Sequence, residues 1–214
     1  MLNKNIIRLH PIKSQASPYW DSLVHVYHAS FPIDEQRPIA SIAHLIEHDE
    51  RFVAYAIING DEKEKEKENE NEDKNGDNPQ LSSFISPLSS PTSPPIGLLT
   101  TWHFDTFIYI EHFAIASTLR SQGHGSEALK AFIHEHGKPI VLEAEPPTDA
   151  LRIRRIKFYE RSGLTLYDFP YIQPAYTPES NPVELRLMGT LDISTTPLTL
   201  VSNTLHSEVY GINT

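Results

Sequence analysis

The 214-residue chain contains no cysteine. That absence removes thiol nucleophiles, disulfides and every zinc site built on Cys. Basic charge is scarce as well: 18 Lys and Arg stand against 28 Asp and Glu, for a net charge of −10. Nucleic-acid binding, which needs a basic face, is therefore not expected. No apolar run approaches the ~18 residues of a membrane span, and "MLNKNIIRLH" lacks the apolar core of a secretory signal. The expectation is a cytoplasmic protein, monomer or homodimer, with neither nucleic acid nor membrane as partner.

What is present is an ordinary globular composition, 39% hydrophobic and 21% charged, diluted by one polar stretch. Asp61 to Asp77 holds nine acids and four lysines, half of the net charge, and a Ser/Pro-rich run follows to Pro95. Such a segment buries too little apolar area to offset its ordering entropy, so 60–95 reads as a disordered insertion. Around it the hydrophobic periodicity is regular. "IIRLH", "RFVAYAIING", "IGLLTTWHF", "FIYIEHFAIA", "PIVLEAE", "LTLYDFPYI" and "VELRLMG" read as strands. "SPYWDSLVHVYHASF" sets Trp20, Leu23, Val24 and Tyr27 at helical spacing, and "PIASIAHLIEHDE" forms a second helix with Pro38 in its first turn. A third helix presents Ala128, Leu129, Phe132 and Ile133, and a fourth, "DALRIRRIKFYERSG", stops at Gly163. No internal repeat interrupts this order. The pattern predicts a single α/β domain over 1–190, a mixed, mostly antiparallel sheet with helices on both faces, and a C-terminal extension over 191–214.

One junction carries chemistry. "RSQGHG", Arg120 to Gly125, lies between a strand and a helix. Glycines there allow positive φ and close approach, and a helix N-terminus offers bare N–H groups to a phosphate. Gly123-His-Gly125-Ser-Glu-Ala128 also fits the dinucleotide pattern G-x-G-x-x-A, with Glu143 and Glu145 near the place of the ribose acid. Seven residues separate Ile115 from Gly123, however, where that motif follows its strand directly. A P-loop is excluded because no Gly-Lys-Ser/Thr follows.

"EHFAIASTLRSQGHGSEAL" resembles the acetyl-CoA motif of the Gcn5-related N-acetyltransferases: Arg120, then Gly123, then Gly125, after a strand and opening a helix. "IKFYERSGL", Ile156 to Leu164, resembles the family's second motif, an aromatic–Tyr pair, a short spacer and Gly. The element order agrees over nearly the whole chain, apart from Gly60–Pro95 and the tail after about Gly189. The resemblance implies acetyl-CoA as cosubstrate, a primary amine on a small molecule or peptide as acceptor, and direct attack in a ternary complex. It implies that the N–H groups of Ser121, Gln122, Gly123, His124, Gly125 and Ser126 face the pyrophosphate, with Arg120 beside them, and that the main chain of Phe113, Ala114 and Ile115 holds the pantetheine arm. It implies Tyr159 as the acid that protonates the leaving thiolate.

The acceptor amine must lose a proton, to a base on the strand beside the thioester, directly or through water, or to water itself. Glu111 is the candidate, because an acid between Ile110 and Phe113 is a costly structural choice unless paired; His112 is its rival. Strict alternation puts Tyr109, Glu111 and Phe113 on one face, and Ile110, His112 and Ala114 on the other, unless a bulge intervenes. Phe31, Glu35 and Tyr171 are expected to line the acceptor pocket. Where relatives carry Asn and Ala ahead of the Tyr, this chain has Arg152 and Arg155, which with Arg154 and Lys157 form a basic cluster facing either a CoA phosphate or solvent. His44 and His48 share a helix face without a third ligand, so no metal is expected. Two other functions remain: a CoA-binding sensor without turnover, and a dinucleotide-binding oxidoreductase.

Overall fold

A computed structural model describes residues 6–60 and 94–212. The insertion expected over 60–95 lies, from 61 to 93, outside the described residues. Seven strands, β1 Ile6–Ile12, β2 Phe52–Gly60, β3 Gly97–His103, β4 Ile108–Ile115, β5 Ile140–Ala144, β6 Thr165–Gln173 and β7 Val183–Gly189, form one sheet in the order β1-β2-β3-β4-β5-β7-β6. Every pair is antiparallel except β4 with β5. A single parallel step gives no doubly wound half of the kind a dinucleotide occupies.

The helices are α1 Trp20–Ser30, α2 Ile39–His48, α3 His124–His136, α4 Ala150–Arg161 and α5 Leu198–Thr204, the last continued by a π turn over Leu205–Val209. α1 buries Trp20, Leu23, Val26 and Tyr27. Val24, expected on that face, is only half-buried, and Val26 takes its place. Pro38 sits just before α2 as its N-cap, one step earlier than expected, and its carbonyl accepts from Ser41 and Ile42. α4 starts at Asp149, whose carboxylate accepts from the N–H groups of Leu151 and Arg152 at 2.9 Å. It ends at Gly163, where a φ of +97° lets the N–H groups of Gly163 and Leu164 close on Glu160 and Tyr159.

Two cores flank the sheet. One packs α1, α2 and the C-terminal segment around Trp20, Leu23, Tyr27, Ile42, Trp102 and Tyr109. The other packs α3 and α4 around Ile108, Ile110, Leu129, Phe132, Leu142 and Ile156. The segment beyond Gly189 is part of the first core: Val201 and Leu205 are fully buried there and Val209 nearly so. Among the described residues no helix is long and apolar enough to cross a membrane.

Two irregularities shape the centre of the sheet. β4 pairs with β5 only from Ile108 to Ile110, against Ile140 to Leu142. It then runs on to Ile115 with no strand beside that edge among the described residues. The strands thus split after Ile110. At the same level the β3–β4 register skips from Thr101↔Ile110 to Thr100↔His112, leaving Glu111 as an extra residue. The bulge overturns strict alternation. Tyr109, Glu111 and His112 all turn to the α1 face, while Phe113 turns to the face of α3 and α4.

Candidate active site

The glycine junction lies at the open end of the split. No main-chain N–H from Gln122 to Ser126 makes a hydrogen bond among the described residues. These groups crown a helix of 13 residues, at its positive end. Gly123 holds a φ of +90°, and Ser121 a φ of +65°, in the left-handed region that non-glycine residues rarely enter. Gly125 differs. An added Cβ there would lie 3.4 Å from side-chain atoms of both Ile115 and Phe158, in ordinary contact, so only a side chain larger than alanine's would crowd β4 and α4. His124 is buried with Nδ1 unpaired.

Arg120 is turned back on the scaffold rather than held free for a phosphate. Its Nε donates to the Ile115 carbonyl at 2.8 Å, and Nη2 reaches Ser30 at 3.3 Å. The Ile115 carbonyl is thereby taken, which leaves Phe113 and Ala114 as the freer main-chain contacts on β4. Arg154 reaches the cradle, donating to the Ser121 hydroxyl at 3.3 Å. Arg152 and Arg155 do not: both pair with Glu145.

Tyr159 is buried in α4, edge-on to Phe158 at 5.1 Å. Its hydroxyl has no hydrogen-bond partner among the described residues, yet it is not among the fully enclosed orphan atoms. It therefore faces open space. Burial raises its titration, Arg155 opposes this and Glu35 adds to it, so the phenol keeps its proton at neutral pH.

Glu111 is enclosed and fully engaged. Arg37 Nε and Nη2 approach Oε1 at 2.8 and 2.7 Å, the Tyr176 hydroxyl donates to Oε1 at 2.8 Å, and Trp102 Nε1 donates to Oε2 at 2.9 Å. Burial alone would raise its titration. The Arg37 charge and these donors outweigh it, and the carboxyl ends below the usual range. His112 is likewise satisfied: Nδ1 lies 3.0 Å from Thr100 Oγ1, and Nε2 is 3.1 Å from both the Tyr27 hydroxyl and the Glu35 carbonyl. Burial lowers its titration, so it stays neutral.

The expected acceptor residues divide. Phe31 packs on Tyr27 and His112, with ring centroids 5.3 and 4.9 Å away. Glu35, half-buried, leans to the Tyr159 side, where burial and Glu145 raise its titration against Arg155 and Arg152. Tyr171 is buried next to Glu143 on β5. Arg37, Tyr176 and Tyr210 were not anticipated as site residues, and Glu143 entered only as a ribose acid in the dinucleotide pattern. Glu143 gave a signal of the kind noticed for Glu111, an acid inside the apolar strand "IVLEA". Tyr176 and Tyr210 come from a loop and from the C-terminal segment and gave none. Among the described residues no three His, Asp or Glu gather to hold a metal.

No family model and no curated protein matches the chain. Solved structures do. A protein of Bacteroides thetaiotaomicron described as an acetyltransferase of the GNAT family is 28% identical over 96% of this chain and 99% of its own, with a TM-score of 0.74. Arabidopsis thaliana NAA60, solved in complex with acetyl-CoA, is 13% identical over 86% of this chain and 97% of its own, with a TM-score of 0.52. A SpeG spermidine N-acetyltransferase chimera from Vibrio cholerae and hSSAT is 11% identical over 88% and 96%, with a TM-score of 0.50. The last two show the fold alone. A fold matched over 96% of this chain at 28% identity, with the glycine junction placed as the motif anticipates, supports the resemblance to the Gcn5-related N-acetyltransferases.

Proposed function

We propose that the protein is an acetyl-CoA-dependent N-acetyltransferase that moves the acetyl group to a primary amine by direct attack in a ternary complex. The observation that carries this reading is the row of unengaged N–H groups from Gln122 to Ser126, with Gly125 packed near Ile115 at the end of β4 and near Phe158, the neighbour in sequence of Tyr159.

The roles follow from position. The cradle binds pyrophosphate through bare N–H groups and the helix dipole. The free edge of β4 at Phe113 and Ala114 holds the pantetheine arm as an added strand would, and a main-chain N–H there polarises the thioester carbonyl. Tyr159 donates its proton to the sulfur as the C–S bond breaks. Arg37 and Glu111, locked together, fix the loop between α1 and α2 against β4 and so position the acceptor side. A spermidine N-acetyltransferase shares the fold, which is consistent with an amine acceptor here. The proposal includes a cytoplasmic location and a monomer or homodimer.

The test is release of CoA thiol from acetyl-CoA with spermidine, tyramine and an alanyl peptide as acceptors. Amine-dependent release that stops with Tyr159→Phe supports the reading. Tight acetyl-CoA binding without release for any amine would favour the sensor reading, and NADH bound more tightly than CoA would revive the dinucleotide one.

A further inference from the structure

The split strands carry a second carboxylate that the roles above leave unused. Glu143 follows Leu142, the last residue of β5 paired to β4, as Glu111 follows Ile110 on the other side. Its partner across β7, Leu187, lies in the α1-side core, so Glu143 points to the same face as Glu111. The two acids thus stand on either side of the gap.

Their surroundings differ. Glu111 has an arginine and two further donors. No cation pairs with Glu143 among the described residues. It faces Tyr210 of the C-terminal segment, whose hydroxyl lies 3.0 and 3.3 Å from its two oxygens and 3.0 Å from the Tyr109 hydroxyl of β4. Tyr171 of β6 is buried beside it, near enough for each to shift the other. Yet the Tyr171 hydroxyl forms no well-aligned hydrogen bond and stays unpaired. Tyr176, from the β6–β7 loop, packs on Tyr210 at 5.1 Å. Glu143, Tyr176 and Tyr210 are only half-buried, so this collar opens onto the gap.

We propose that Glu143, not Glu111, receives the acceptor's ammonium and takes its proton, inside a collar of Tyr109, Tyr171 and Tyr210. The inference rests on the acetyltransferase reading and names the acceptor subsite within it. Burial pushes the Glu143 carboxyl up to about 7; the neighbouring hydroxyls of Tyr171, Tyr109 and Tyr210 hold it down, and the Glu111 charge pushes it further up. Two acids with titrations driven apart divide the work: one stays ionised to hold structure, the other exchanges protons near neutral pH.

The proton count closes. Glu143 takes one hydrogen from R–NH3⁺, and the freed lone pair attacks the thioester carbonyl. As the C–N bond forms and the C–S bond breaks, Tyr159 gives its proton to sulfur. The nitrogen sheds a second hydrogen, which restores the Tyr159 hydroxyl through water. Glu143 then releases its proton to solvent. The collar also selects a class. A cationic nitrogen meets one carboxylate and several tyrosine oxygens and rings. A carboxylate next to that nitrogen would face Glu143 and Glu111 with no free cation beside them among the described residues, because Arg37 is occupied. The site therefore favours primary amines without an adjacent acid group over free amino acids.

The experiment is a pH profile of kcat and KM with acetyl-CoA and tyramine, spermidine or free tyrosine, in wild type, Glu143→Gln and Glu111→Gln, together with an infrared titration of carboxyl bands without substrate. Wild type should gain rate as pH rises through about 7, tyramine should outrun tyrosine, and a protonated carboxyl band should fade over the same range. Glu143→Gln should lose the band, the rise and about 10²–10⁴ in kcat, with KM for acetyl-CoA nearly kept. Glu111→Gln should keep the rise. If Glu143→Gln folds poorly, Glu143→Asp replaces it, with at least about a tenfold loss expected from a carboxylate one methylene short. Turnover within twofold of wild type at every pH in either variant would overturn the role of Glu143 alone. A wild type that releases no thiol with any amine would overturn the transferase reading, and the base assignment with it.

Discussion

Arg37 Nη2 lies 2.7 Å from Glu111 Oε1, with the two side chains only 11% and 0% exposed. The same guanidinium donates to the Val209 carbonyl at 2.8 Å and lies over the Tyr176 ring at 4.7 Å. One residue thus ties the α1–α2 loop to β4, to the β6–β7 loop and to the C-terminal segment. Arg37→Met should leave an uncompensated buried charge and cost about 3–5 kcal/mol in urea unfolding. Arg37→Met with Glu111→Leu should recover most of that. Equal losses in both variants would mean the charge pair is not what the single change breaks.

The pair also sets behaviour in acid. The folded-state titration of Glu111 lies below its unfolded value of 4.5, so its contribution is complete above that pH and is lost as pH falls through the lower, folded value. Glu143 has the opposite sign. Its folded value of about 7 exceeds the unfolded 4.5, so its penalty is absent below 4.5 and grows as pH rises to about 7. Glu143→Gln should therefore be more stable than wild type above pH 7, by up to about 3 kcal/mol, with the gap closing in acid. Melting curves across pH decide this: a constant difference would show that Glu143 does not titrate in that range.

Tyr159→Phe keeps the ring against Phe158 and deletes only the hydroxyl. Because that hydroxyl holds no other partner among the described residues, stability should change little. kcat should fall by roughly 10²–10⁴, with acetyl-CoA affinity intact. A variant within twofold of wild type would leave protonation of the thiolate to water.

The two cradle glycines should fail differently. Gly123→Ala meets no atom within 4 Å but must hold a φ of +90°, at a cost of about 1–2 kcal/mol. It should weaken CoA by disturbing the turn. Gly125→Val would push its side chain on Ile115 and Phe158. Calorimetry should show CoA weakened at least about tenfold, with a lowered melting temperature as well. Wild-type affinity in folded variants of both would remove the cradle from the account.

Much of the fold was legible because its strands and helices bury one face each, which prints a period on the sequence. The cradle was legible for a related reason: glycine at 123 answers a backbone demand that no other residue meets as well. The electrostatics were not. Glu111 and Glu143 look alike as acids in apolar strands, and what separates them is Arg37 on one side and its absence on the other. Arg37 lies 74 residues from Glu111, and Tyr210 67 from Glu143, distances over which no local pattern survives. Alternation along β4 failed at one residue, because the bulge at Glu111 depends on the register with β3.

The contact from Arg37 to the Val209 carbonyl spans 172 residues. A chain leaves the ribosome N-terminus first, so the α1–α2 loop, β4 and the cradle are all synthesised before the residues that brace the acceptor side. Until Val209 and Tyr210 arrive, Arg37 lacks its far anchor and Glu143 lacks its donor. A nascent or C-terminally clipped chain would then carry the means to grip CoA but no finished place for an amine. The stretch around Val209 and Tyr210, made after the cradle, is the one that completes the acceptor side.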